Sequence, residues 1–456
     1  MTITQASAAP RAFDREHRAI TIGLLALVTM FAFEAVAVSL AMPSVARELD
    51  GETLYPIAVV GMLTAAIVGM VVGGIWSDAR GASLPLTVGG LGFVVGLLVS
   101  GFAGSMEIFV AGRFLQGLGC GAALTAMYVA VGDAYPAHLR TKVFSLFATA
   151  WVVPSIAGPF IAGALVDLFG WRSVFLVVAG FAAFSTIAVR APMNSRLAVR
   201  TAPLVGGRRP LYAVVAAAGV VALHLAGHGA GLGSAVLLVL GLAVVAVAAG
   251  PLLPRGTTRA DRGLPAVIAS RGLFGASFAC VEMFLPLVLQ RESGMSPTVS
   301  GLVMMVGALG WVAGSAYAGK HGQADTFPRI LRAGSIALLT GTVISLALVP
   351  VDHSPLAAGI VATIGFSTMA VGMGLATPLM STLALDLAPE GRQGDSGAAI
   401  QMSDSLGQSI AAGLVGAVFA RWFLIDAHTS YLSGFGLALV LALVAIVTAR
   451  RSVQNG

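Results

Sequence analysis

The apolar positions of this chain come in long runs separated by short polar segments. A helix needs about 20 apolar residues to cross a bilayer. Runs that qualify fall at roughly 19–42, 54–76, 84–104, 107–132, 143–166, 173–190, 211–229, 234–253, 265–289, 298–319, 330–350, 356–386, 397–420 and 431–449, which predicts about fourteen spanning helices. The seventh and eighth are divided only by the glycine-rich stretch Gly227–Gly233, so they form either two spans or one re-entrant element. Two Arg-rich polar linkers, Arg190–Pro210 and Pro254–Gly263, bracket that pair. The chain is therefore expected to divide into an N-terminal six-helix bundle (1–192), a linker with two additional transmembrane helices (193–263) and a C-terminal six-helix bundle (264–456). The first helix of each bundle carries an acid followed by a proline, Glu34 with Pro43 and Glu282 with Pro286. Weak internal repeats of this kind underlie many secondary transporters, with the site near the midplane between them.

Composition strengthens this picture. Of 456 residues, 57% are hydrophobic and 10% charged, and mean hydropathy is +0.92. Soluble domains carry about 25% charged residues, so the fold class is an all-α polytopic membrane protein. The net charge of +6 reads as loop arginine rather than a nucleic-acid surface. With the N-terminus inside, most of the 26 Lys and Arg fall in cytoplasmic segments, and the outside segments hold only Arg47, Arg172, Arg291 and Arg421. That bias predicts an even number of spans, both termini cytoplasmic, in the cell (plasma or inner) membrane. The N-terminal segment lacks a clear cleavage site, so the first helix is expected to stay uncleaved. Cys120 and Cys280 both lie in apolar runs and imply neither a disulfide nor a thiolate metal site. His224 and His228 have a metal-compatible spacing without further ligands, so no metal and no cofactor are expected. No phosphate loop or soluble nucleotide domain is present to supply ATP energy.

The chemistry lies in the few charges inside apolar runs. An ionised acid at membrane depth costs roughly 2.5–3.5 kcal/mol on insertion scales, yet Glu34 sits within the first run and Arg113 within the fourth. At 1.5 Å per residue they lie about 12 and 9 Å from the outer ends of their runs, so they can meet across the bundle. A guanidinium favours the ionised carboxylate and apolar surroundings favour the neutral one. A pair that separates and rejoins would swing Glu34 between releasing and binding a proton, with Arg113 tuning it; the alternative is a static ion pair. Glu282 is either a second proton site, a contact for a cationic substrate, or a cavity-facing polar residue of little consequence. Asp404, beside Gln401 and Gln408 at helical spacing, either binds substrate polar groups or, the favoured reading, hydrogen-bonds between helices. Gly69/Gly73, Gly92/Gly96 and Gly117/Gly121 are small-xxx-small pairs suited to close helix packing. Met369, Met373 and Met380, with Phe366, suit either a promiscuous cavity or ordinary packing.

Several segments resemble the major facilitator superfamily, and within it the fourteen-helix drug:proton antiporters. Arg113-Phe-Leu-Gln116-Gly117-Leu-Gly119 is similar to that family's intramembrane R-x-x-Q-G-x-G motif, and Gly158-Pro159-Phe-Ile-Ala-Gly163 to its antiporter G-P-x-x-G-G signature, with Ala162 at a usual glycine. Gly170-Trp-Arg resembles the turn that follows. Glu34 to Pro43 resembles the first-helix motif, with Glu for the commoner Asp and Ser39 for Asn. Gly74 to Gly81 keeps the Gly, Asp78 and Gly81 of the loop motif, but Ala79, Ala82 and Ser83 replace usual basic residues. Asp133, at the end of the fourth helix, is expected to be a structural partner of the Asp78 loop. The resemblance implies a major facilitator fold of two six-helix bundles plus two extra central helices. It also implies a monomeric, non-enzymatic, proton-coupled antiporter in the lipid bilayer that exports amphipathic, perhaps cationic, small molecules, as in multidrug efflux and antibiotic resistance. Export of an endogenous metabolite or lipid is the alternative within the same fold. An intramembrane enzyme is disfavoured, because no nucleophile–base or metal cluster stands out.

Overall fold

The computed structural model describes residues 13–14, 17–51, 54–194, 203, 206–227, 231–295, 297–349, 354–422 and 427–452. The fold is all helical. In the N-terminal half the helices are α1 (Arg18–Glu48), α2 (Tyr55–Arg80), α3 (Ser83–Gly101), α4 (Met106–Ala134), α5 (Ala137–Ala150), α6 (Val152–Phe169) and α7 (Arg172–Asn194). Then come α8 (Arg209–Gly227) and α9 (Leu232–Leu252). The C-terminal half holds α10 (Leu264–Leu287), extended by a π turn at Val288–Glu292, then α11 (Pro297–His321), α12 (Phe327–Leu346), α13 (Pro355–Asp386), α14 (Gln393–Trp422) and α15 (Ala427–Ser452).

Local chemistry sets the boundaries. Gly81 ends α2 at φ +80°, a left-handed position that suits glycine. Ser354 caps α13 by accepting the Ala357 N–H. The predicted fifth span is broken at Trp151 into α5 and α6. Pro154 explains the break, since it offers no N–H to the carbonyl of Ala150. Among the described residues, twelve helices are long and apolar enough to cross a membrane, α8 and α9 among them. The expected fifth and thirteenth spans fall outside that set: one is the broken α5–α6, and the other is α14, which carries Asp395, Gln401, Asp404 and Gln408.

Within the first half, α4 packs between α2 and α3, and α1 lies against α6 and α7. Glycine makes the α2–α4 contact possible. A Cβ on Gly117 would come within 2.2 Å of the Met62 carbonyl oxygen, and one on Gly121 within 2.1 Å of that of Ala66. In the second half, α10 packs on α14 and α15, and α13 on α11 and α12. Met369, Met373, Met380 and Phe366 are buried in the main core, so they are packing residues here. The α8–α9 pair builds a second apolar cluster against α2 and α14, joining Leu223, Val220 and Val245 to Ile67, Met70, Met402 and Leu406.

The halves meet at one end, the basic side, where the α2–α3 and α4–α5 loops, the start of α8 and the start of α14 lie together. There Gly74 of α2 and Gly394 of α14 approach so closely that a Cβ on Gly74 would fall 2.7 Å from the Gly394 carbonyl oxygen.

Candidate functional site

Glu34 and Arg113 meet. α1 presents Glu34 and α4 presents Arg113, and the arginine Nη1 donates to Glu34 Oε1. Glu34 is 0% exposed and Arg113 5%. The same Nη1 also donates to Gln116 Oε1, while Arg113 Nε donates to the Ala58 carbonyl at 3.3 Å. Gln116, itself fully buried, passes the network on by donating to Ser100 Oγ at 2.9 Å and the Gly96 carbonyl at 3.3 Å. The R-x-x-Q spacing thus puts both polar side chains on one face of α4, and Gly117 turns the adjoining face onto α2. One atom stands apart. Glu34 Oε2 is buried and has no hydrogen-bond partner, and leaving such an acceptor unmet costs about 1–3 kcal/mol. Protonation would convert that oxygen from an unmet acceptor into an O–H.

Gly158 of α6 packs beside this pair, its Cα face against Val36 and Phe33 of α1. Pro159 lies within α6, and its side chain is outside the described residues.

Asp404 has a partner the sequence reading did not supply. Arg271 Nη2, from the second turn of α10, donates to Asp404 Oδ2 at 2.8 Å. The pair ties α10 to α14, and the close approach of Gly272 to Ser403 and of Gly275 to Asp404 makes room for it. It is an interhelical contact, as favoured from the sequence. One turn away on α14, Gln401 Oε1 accepts from Tyr128 Oη of α4 at 3.0 Å, a separate contact between the halves.

Glu282 lies apart from both pairs. Its side chain is accessible, as is that of Met283.

The basic side is closed by contacts between the halves. Asp78 accepts two backbone N–H bonds at the start of α14, from Gly394 at 2.6 Å and Asp395 at 2.9 Å. A carboxylate there meets unpaired amides and the positive end of the helix dipole. Arg140 pairs with Asp386 and also donates to the Gly132 carbonyl at 2.8 Å. Thr141 and Thr382 hydroxyls lie 3.0 Å apart. Asp133 stands in the last turn of α4 beside these contacts, partly buried. Arg209, at the start of α8, pairs with Asp395 and donates to the Leu252 carbonyl of α9 at 2.8 Å. On the opposite side, Glu48 pairs with Arg172 and accepts from the Trp171 indole at 2.8 Å, with the Arg172 guanidinium 4.3 Å over the Trp171 ring.

His224 Nδ1 donates to the Val220 carbonyl of its own helix at 2.9 Å; His228 lies outside the described residues. Among the described residues no group of three or more His, Cys, Asp or Glu is placed to hold a metal ion.

Residues 22–412 match the model of the Major Facilitator Superfamily. The chain is 24% identical over 332 residues to Multidrug resistance protein 3 of Bacillus subtilis, a match that takes in 71% of this chain and 65% of that protein. It thus spans just under two thirds of that relative's length. It is 26% identical over 441 residues to the Probable actinorhodin transporter of Streptomyces coelicolor, covering 91% of this chain and 74% of that one. Among solved structures, the human organic anion transporter MFSD10 (TETRAN) superposes with a TM-score of 0.69 over 94% of this chain and 99% of its own, at 13% identity. The last similarity is one of fold.

Proposed function

We propose that this chain, which belongs to the major facilitator superfamily, is a proton-coupled antiporter that exports amphipathic small molecules by alternating access. Its kinship with a multidrug resistance protein supports the export of varied compounds. The observation that carries proton coupling is the buried Glu34–Arg113 pair with its unmet Glu34 Oε2. A proton taken at Glu34 neutralises the acid and frees Arg113 to keep only Gln116 and the Ala58 carbonyl. Loss of that proton to the basic side restores the pair. The cycle needs the basic side to open, so the contacts of Asp78 and Arg140, with Gly81 and Asp133 at the ends of their helices nearby, act as its gate, and the Gly117 and Gly158–Pro159 segments as its packing joints.

In the same reading α5–α6 and α14 complete fourteen spans, arranged as bundles 1–192 and 264–456 with α8–α9 between them. The basic side is cytoplasmic, the membrane is the cell membrane and the unit is a monomer. The driving force is adequate. A proton crossing 100 mV releases about 2.3 kcal/mol and each pH unit adds about 1.36, enough for a neutral solute gradient of a few hundredfold.

The test is Glu34→Gln in proteoliposomes under an imposed pH gradient. Gradient-driven transport should be lost while the folded protein remains in the membrane. Normal coupled transport by that variant would remove Glu34 from the mechanism. Export of an endogenous metabolite is a second reading, favoured by the match to the actinorhodin relative over most of both chains.

A further inference from the structure

A groove of about 510 Å³ runs between α1 and α7. Gly23 sets its floor: a Cβ there would fall 2.5 Å from Val189 Cγ2, so the two helices touch at that level. Ile22, Ala26, Phe184 and Ala188 line it, and Arg18 stands at its mouth. Ile22 is 51% exposed and Phe184 72%, and Ile187 next to the groove is 64% exposed. All three lie inside apolar spans. α7 packs on α1, α3 and α6, all of its own half, so its bare face points away from the other half. Side chains this uncovered in a spanning helix find their partner in acyl chains, which are as apolar as leucine. The groove opens to lipid.

Its mouth is on the basic side. The Thr21 and Tyr135 hydroxyls lie 2.7 Å apart, and the His17 ring stacks on that of Tyr135 at 5.0 Å, which seats the start of α1 on the α4–α5 loop. His17 and Thr21 fall on the face of α1 turned away from Ile22 and Ala26. The chain entering α1 therefore docks inward, and Arg18 is turned outward. Arg18 and Arg190 are the terminal residues of the apolar spans of α1 and α7. Both are exposed, and among the described residues neither side chain has a hydrogen bond or ion pair. In sequence, Arg11, Arg15, Arg18, Arg190, Arg196 and Arg200 flank these two helix ends against only Asp14 and Glu16. Asp14 is taken up by His17 Nδ1 at 2.8 Å. Arginines clustered where a span meets the surface attract anionic headgroups, and their long stems let the charge reach the interface.

We propose that the α1–α7 groove is a binding site for an anionic diacyl phospholipid of the basic-side leaflet. Arg18 and Arg190 hold its phosphate, and one acyl chain lies over Gly23 and Ala26 between Ile22 and Phe184. The headgroup supplies the counter-charge that the two arginines lack, and the chain covers the apolar floor. A lipid seated this way ties the basic-side end of α1, the helix that carries Glu34, to α7. The site depends on the chain lying in a bilayer and not on what it transports.

The test uses the full chain in phosphatidylcholine nanodiscs that contain a trace of phosphatidylglycerol with a photoreactive diazirine on one acyl chain, or the matching phosphatidylcholine. Labelled peptides are then mapped. The phosphatidylglycerol reagent should label residues 18–26 and 181–190 well above the phosphatidylcholine one. Unlabelled phosphatidylglycerol should compete this labelling away, and inorganic phosphate should not. Arg18→Gln with Arg190→Gln should cut it roughly tenfold or more, since each arginine near an anionic lipid contributes about fivefold. Arg18→Lys with Arg190→Lys should keep most of it. An unchanged melting temperature in pure phosphatidylcholine shows that the variants are folded, and the comparison of the two reagents on the unaltered chain stands without any variant. Equal labelling by the two reagents would overturn the proposal, leaving ordinary surrounding lipid. Labelling that survives the double Gln variant, or that phosphate competes away, would overturn it as well. So would labelling that appears only after residues 1–12 are removed, which would give the groove to the chain's own N-terminal segment.

Discussion

Removing the Asp78 carboxylate should open the basic side. The side chain makes two bonds to the first amides of α14, at 2.6 and 2.9 Å, and it is only partly buried. Hydrogen bonds to a charged group contribute about 1.5–3 kcal/mol each, and a helix N-terminus adds up to about 2 kcal/mol for a well-placed anion. Water replaces part of both when the halves separate, so a net value of about 2 kcal/mol is a fair working figure. Because the carboxylate belongs to one half and the amides to the other, all of it favours the closed basic side. Asp78→Ala should then raise the population open on that side roughly 30-fold, at about 1.4 kcal/mol per tenfold. Thr382, fully buried where it faces Thr141, is a suitable reporter. In a background lacking Cys120 and Cys280, a cysteine at position 382 is modified by a soluble maleimide only when the gate opens. Asp78→Ala should speed that modification by a similar factor. A rate within twofold of the matched background would refute the capping argument and reduce Asp78 to a surface acid.

Further outcomes follow from named contacts. Arg209→Ala removes the bond to Asp395 and the bond to the Leu252 carbonyl; it should speed the same maleimide reaction less than Asp78→Ala does. The double variant should be non-additive by more than about 0.5 kcal/mol, because both residues act on the first turn of α14; strict additivity would separate them. Gly117→Leu forces atoms into the Met62 carbonyl and should lower the melting temperature by several degrees, given about 1–3 kcal/mol for overpacking; an unchanged melting temperature would show that α2 and α4 can part. The Glu48 carboxyl, beyond the apolar span of α1, is held below its ordinary value chiefly by the hydrogen bond from Arg172, which outweighs the opposing effect of burial, with the Trp171 indole and the Arg172 charge adding to the lowering. Its stabilisation is therefore whole above the unfolded carboxylate value near pH ~4.3 and fades as pH falls through the lowered folded value. The melting-temperature gap between the unaltered chain and Glu48→Gln should close on going from pH 7 to about pH 3, and a constant gap would sink this assignment.

What the sequence disclosed depended on the kind of partner each residue has. Hydropathy located the helices because lipid demands apolar length, and the weaknesses of that signal fall where the chain departs from it: α5–α6 broken before Pro154, and α14 carrying its acid and amides. Depth arithmetic brought Glu34 and Arg113 to one level, since both lie on straight helices of known rise. Asp404 was legible as an interhelical polar contact, but Arg271 was hidden among residues at the start of a helix. The Asp78 contact had no side-chain signature at all. Ala79, Ala82 and Ser83 stand where the loop motif usually has basic residues, and the partners of Asp78 are instead backbone amides of Gly394 and Asp395, which every sequence supplies. The Arg209–Asp395 bridge was invisible for another reason: charge counts in loops report sidedness, not pairing.

The placement of α8 and α9 bears on how such a gate can move. The pair touches α2 of one half and α14 of the other, so any rocking that separates those helices must pass through it. Most of its contact is apolar: Leu223 against Gly413 on α14, and Val220 and Val245 in a cluster with Ile67 and Met402. Between helices in lipid such contacts have little hydrophobic drive of their own, because the acyl chains are an equally good partner, so they can slide or be exchanged at small cost. The directional contacts are different. Arg209 grips Asp395, Arg392 reaches the same carboxylate at 2.6 Å, and the Asp395 amide is held by Asp78. Opening the basic side must break the bonds from Asp78 and from Arg209, whereas the Arg392 contact lies within the same segment and can travel with it. The inserted pair therefore need not block alternation. It follows that its influence on the cycle is concentrated at one turn of α14, where an arginine from outside the two bundles holds the Asp395 side chain and an aspartate from the opposite half holds the Gly394 and Asp395 amides.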